Sequence, residues 1–99
     1  MPLTEEVGFK AVLQRGNRVQ VPRLIRWQFK LEPDQVLHVT VDVQEDSVGE
    51  EDFYARMTGD GRLTIPKVTL KVLQEECDKE SLVGYVLVIA LKPASGVGM

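Results

Sequence analysis

The sequence predicts a mainly β fold with two short helices, in which two ββαβ repeats close into a six-stranded, pseudo-twofold barrel. Three observations lead there. The phrase RGNRVQVPR (15–23) returns 44 positions later as GDGRLTIPK (59–67). Around both copies apolar residues alternate with polar ones, the period of a half-buried strand. A proline then ends each short alternating segment and opens an apolar pattern of helical period,.

At the 44-residue offset, Phe9 meets Phe53, Ala11 meets Ala55, Arg18 meets Arg62 and Val19 meets Leu63. Val21, Pro22 and Arg23 then meet Ile65, Pro66 and Lys67 without a gap. In the first repeat (about 7–43), Val7, Phe9, Ala11 and Leu13 form one face of a strand. A tight turn at 15–17 leads to a second strand, with Val19 and Val21 on one face and Arg18 and Gln20 on the other. Pro22 suits the first helical position, where its missing N–H costs nothing. Ile25 and Phe29 share a helix face, and Pro33 ends the helix,. VLHVTV (36–41) closes the repeat as a β-branched strand,.

An acidic, glycine-containing linker (44–52) leads to the second repeat (about 53–92). Phe53, Ala55 and Met57 repeat the first strand, the turn falls at 59–61, and Leu63 and Ile65 repeat the second. The next helix starts at Pro66, with Leu70 and Leu73 as its apolar stripe. After five or six extra residues, YVLVIAL (85–91) is the closing strand, and 93–99 is a flexible tail,. Neither repeat buries its apolar face alone. Packed about a pseudo-twofold axis and closed into a barrel, the two cover each other and leave no exposed sheet edge.

All 99 residues read as one domain of ordinary globular composition, 43% hydrophobic and 27% charged,. No apolar run reaches the ~20 residues of a membrane span. The acidic N-terminal segment does not resemble a signal peptide, and the single cysteine, Cys77, suits a reducing compartment,. A cytoplasmic location is the expectation. The net charge is −3, but it is unevenly distributed: six bases and no acid lie between Val7 and Leu31, and eight acids and no base between Glu32 and Asp52,.

NRVQVPRLIRWQFKLEPDQVLHVTV (17–41) and DGRLTIPK (60–67) resemble the SpoVT/AbrB domain, through the doubled pattern arginine–x–x–(valine or isoleucine)–proline–base. The resemblance covers about residues 7–92. Two repeats on one chain are similar to MraZ-type proteins and to single-chain cradle-loop (RIFT) barrels. It implies a swapped-hairpin-like barrel, a DNA-binding role in transcription regulation or as an antidote-like protein, and a monomer, because the pseudo-dimer is internal. Asn17 stands where the family has glycine, and the region after the third strand is acidic where DNA-binding members are basic. A barrel that binds another protein, or serves a structural role without DNA, is therefore the alternative.

The bases Lys10, Arg15, Arg18, Arg23 and Arg26 are the candidate nucleic-acid contacts, able to neutralise phosphates of duplex DNA,. For Arg18 and Arg62, their presence in both repeats favours a structural pairing instead. Trp27 could stack on a base, but a packing role is the plainer expectation. His38 falls on the outward parity of its strand with no second ligand at metal spacing, and reads as solvated. Cys77 lies between Glu76 and Asp78 and reads as an inert surface thiol. No catalytic motif stands out and no cofactor is implied, so a non-enzymatic binding module is the expectation.

Overall fold

A computed structural model of the chain describes residues 6–33, 35–44 and 50–93. The predicted linker lies largely outside these residues, as do Asp34 and most of the tail. In chain order the elements are β1 (Val7–Val12), β2 (Arg18–Gln20), α1 (Arg23–Gln28), β3 (Val36–Val43), β4 (Glu51–Arg56), β5 (Arg62–Thr64), α2 (Lys67–Cys77) and β6 (Val86–Pro93). The fold is mainly β with two helices, and the ββαβ order appears twice.

The strands form a four-stranded antiparallel sheet, β1-β6-β3-β4, and a separate two-stranded ribbon, β2-β5. The expected six-stranded closed barrel is not what these ladders make. β1 touches β2 and β4 touches β5, so the strands follow each other around a ring, but neither junction is laddered beyond the bridge between Gln14 and Arg18. The reason is local: β2 and β5 are three residues long, and each is followed one residue later by a proline, which cannot donate to a ladder.

The pseudo-twofold axis is explicit in the register. Val7 of β1 pairs with Leu91 of β6, and the equivalent residue of the other repeat, Glu51 of β4, pairs with Val41 of β3, so each outer strand pairs with the closing strand of the other repeat. In the ribbon Arg18 pairs with Thr64 and Gln20 with Arg62, so a half-turn exchanges the two strands. The bonds flanking it match as well: Val21 N–H donates to Gly61 O at 2.8 Å, and Ile65 N–H to Asn17 O at 2.7 Å. The axis passes through the β3–β6 pair, where Val39 meets Leu91 and Val41 meets Ile89.

One face of the four-stranded sheet carries the core. Leu37, Val39, Val41, Leu87, Ile89 and Leu91 alternate inward, and Val19 and Leu63 of the ribbon, with Val21 and Ile65 just beyond its strands, complete it. Phe9 and Ala11 of β1 pack against this cluster from a half-buried position. β4 begins at Glu51, inside the stretch read as linker, because Glu51 and Asp52 pair with Val41 and Thr40.

Pro22 and Pro66 cap their helices rather than begin them, with ψ of 140° and 144°, and their carbonyls accept from Arg26 and Leu70 N–H at 3.1 Å. Both helices end in the same left-handed motif. Lys30 (φ 55°) and Asp78 (φ 57°) turn the chain. Beyond them Leu31 N–H returns to Arg26 O and Lys79 N–H to Gln74 O, each at 2.9 Å,. α1 thus stops at Lys30, before Pro33 is reached. Cys77 packs partly against the core instead of lying free on the surface.

Candidate nucleic-acid interface

α1 is only six residues long, and its two faces are opposed. Ile25 and Phe29, one turn apart, lean on the core. Trp27 lies two residues from each, about 200° round the helix, so its indole points outward and is 77% exposed. The packing role expected for it is therefore corrected. Leu24 is 72% exposed on the same short helix.

Between this helix and the chain that follows it lies an open groove of about 520 Å³, lined by Arg23, Arg26, Trp27, Lys30, Leu31 and Glu32. Three cations, one acid and one aromatic ring thus share its lining. No ion pair joins Arg23, Arg26 or Lys30 to an acid among the described residues.

Arg26 is held from the other repeat. Its guanidinium lies on Gly61, the φ +84° glycine of the β4–β5 turn, so closely that a Cβ there would collide with Cζ, Nε and Nη1. The Nε is buried and has no hydrogen-bond partner among the described residues. A buried donor without a partner costs about 1–3 kcal/mol.

The remaining predicted contacts separate into different places. Arg15 is exposed on the β1–β2 turn and Arg18 on β2. The Arg18 Nε lies 3.4 Å from where a Gly16 Cβ would stand. Its repeat mate Arg62 is engaged structurally, donating from Nε to Gln20 Oε1 at 3.3 Å and facing Asp60 at 3.5 Å. The Gln20 amide in turn donates to Asp60 O at 2.9 Å, so this network stitches the ribbon to the β4–β5 turn. Asp60 also accepts from the Thr58 hydroxyl, which with Arg62 holds its carboxyl below the ordinary value. Lys10 lies apart, on the outer face of β1 opposite Val88, and does not line the groove.

The outer face of the four-stranded sheet carries a second cluster. His38 Nε2 lies 2.9 Å from Asp52 Oδ2, and its ring stacks on Tyr54 at 4.7 Å between centroids and 13° between planes. His38 is outward as its parity implies, but it is partnered rather than merely solvated. Its hydrogen bond holds the Asp52 carboxyl below the ordinary value. Among the described residues no three histidine, cysteine or acidic side chains are grouped to hold a metal ion, and no helix is long and apolar enough to cross a membrane.

Lys30, one of the six clustered bases but not a candidate contact, and Trp27, expected to pack although able to stack, both reach the groove, for different reasons. Lys30 follows the helix, and only the left-handed turn brings it to the groove. Trp27 is a large apolar residue, and its exposure depends on which way a six-residue helix rolls.

No family model matches the chain, and no curated protein matches it. Among solved structures it is similar to the solution structure of PHS018 from Pyrococcus horikoshii, with a TM-score of 0.64 and 20% identity over 94% of this chain and 92% of that one. That likeness concerns the fold.

Proposed function

We propose that the chain is a non-enzymatic, AbrB-like nucleic-acid-binding module, a cradle-loop barrel opened at two symmetric seams, which holds DNA phosphates along α1. The observation that carries this reading is the groove that Arg23, Arg26 and Lys30 line together with an exposed Trp27. Cations that neutralise phosphates bind by releasing counterions, so the interaction weakens steeply with salt and needs no base readout. Arg15 and Arg18, on the neighbouring turn and ribbon, are the outlying contacts. Lys10 is left out of the interface, because it sits on the outer face of the other sheet. The internal pseudo-dimer makes the binding unit a monomer, and a role in transcription regulation follows from the resemblance.

The test is fluorescence anisotropy of a labelled mixed-sequence duplex at several salt concentrations. Wild type is expected to bind with a dissociation constant of ~10⁻⁴ to 10⁻⁶ M at physiological salt. The double variant Arg23→Glu, Lys30→Glu is expected to lose both the affinity and about two units of salt slope. Equal binding by the two proteins would reject α1 as the interface.

A second reading rests on the sheet's outer face, where Val36, Tyr54 and Val88 are exposed beside the His38–Asp52 pair. That mixed surface suits a protein partner, and it is favoured if neither duplex nor single strand binds.

A further inference from the structure

We infer that the α1 groove is built for a locally unpaired strand, whose base stacks on Trp27 while its phosphates lie along Arg23, Arg26 and Lys30. This rests on the reading of the groove as a nucleic-acid site and narrows its ligand to single-stranded DNA or RNA.

The repeats themselves identify the groove as a specialised place. At the 44-residue offset Leu24 matches Val68, and both are exposed, at 72% and 70%. Arg23 matches Lys67, and both are exposed. That much is common to the two helices. The groove is where they part: Arg26 stands against Leu70, Trp27 against Lys71 and Lys30 against Gln74. Leu70 is 4% exposed and belongs to the core. The same fold position therefore takes a leucine comfortably, yet in the first repeat it holds a guanidinium whose buried Nε has no hydrogen-bond partner among the described residues. Room for that guanidinium comes from Gly61, where the first repeat has Asn17. Lys30 closes α1 in the left-handed conformation that Asp78 adopts at the end of α2, and it brings a further cation to the groove. The buried Nε and the exposed indole are two departures from what folding alone favours, on adjacent residues that line one groove. Departures of this kind gather at functional sites.

The chemistry they supply is specific. Cations alone would serve any polyanion, paired or not. An exposed indole adds nothing to a duplex whose bases are stacked on one another, but it offers a face to an unpaired base, whichever base that is. Arg26, packed on Gly61, brings one cation to the groove that the ring also lines, with little freedom left to lose on binding,.

Because Trp27 is the chain's only tryptophan, intrinsic fluorescence reports on the groove directly. The experiment titrates the full chain with a thymidine oligomer, a uridine oligomer, a mixed-sequence duplex and inorganic polyphosphate. Quenching by the two single strands, with tighter binding than to the duplex and none of the same quenching by polyphosphate, is the expected result; the tighter of the two oligomers identifies the strand chemistry. Trp27→Ala, a surface change, is expected to weaken single-strand binding roughly 5- to 150-fold with little effect on the duplex, and Trp27→Phe to recover part of it. Polyphosphate quenching equal to that of the oligomers, or undiminished single-strand binding by Trp27→Ala, would overturn the stacking role while leaving phosphate binding along α1 intact. No binding of any strand would remove the nucleic-acid reading as well.

Discussion

Arg26 and Leu70 stand at matching positions of the two repeats, one a cation with a buried Nε, the other a core leucine. Arg26→Leu restores the pattern of the second repeat and removes a buried donor that has no partner among the described residues. Thermal unfolding should show stability unchanged or raised by up to about 1–2 kcal/mol, while phosphate binding falls. A loss of stability would mean that the guanidinium serves the fold. Asp60 offers a pH test at the same scale. Thr58 donates to its carboxylate and Arg62 faces it, which lowers its pKa in the folded chain. Stability from a depressed carboxylate is present above the ordinary value and lost as pH falls through the folded one. Thr58→Ala should move the Asp60 midpoint upward in an NMR titration; an unmoved midpoint would contradict the assignment.

Both helices close on a left-handed residue that is not glycine, and the two closures are expected to respond differently to the same change. Asp78→Gly relieves αL strain at the end of α2, away from the groove, and should raise stability by about 0.5–1 kcal/mol without altering nucleic-acid affinity. Lys30→Gly should raise stability similarly and weaken binding, because Lys30 lines the groove. Equal affinity in both variants would show that Lys30 does not touch the ligand. The elements themselves were largely legible in sequence, since Leu37, Val39 and Val41 or Val19 and Val21 announce a buried face by parity alone. Less legible were the helix ends. A Schellman turn at Lys30 leaves no composition signal, so Pro33 looked like the stop. The start of β4 was hidden too, because Glu51 and Asp52 are acidic residues paired at a strand end.

For the molecule as a whole, the repeat in the sequence is the symmetry of the fold, visible in the matching registers of β1–β6 with β3–β4 and in the self-exchanging ribbon. What the repeat could not convey is closure. Alternation tells which side of a strand is buried, not whether two three-residue strands complete a ladder with their neighbours. The candidate site was only half legible for the same reason. Arg15, Arg18, Arg23 and Arg26 are near one another in the chain, but the groove is defined by a helix roll that exposes Trp27 and by Gly61 from the other repeat. The most direct test of that groove is an amide and indole NMR titration of the labelled chain with duplex and single-stranded DNA, at low and raised salt. Salt-sensitive shifts at Arg23, Arg26, Lys30 and the Trp27 indole, with the sheet's outer face unmoved, are the predicted result. Shifts confined to that outer face around His38 and Tyr54, or no shifts at high DNA excess, would contradict it.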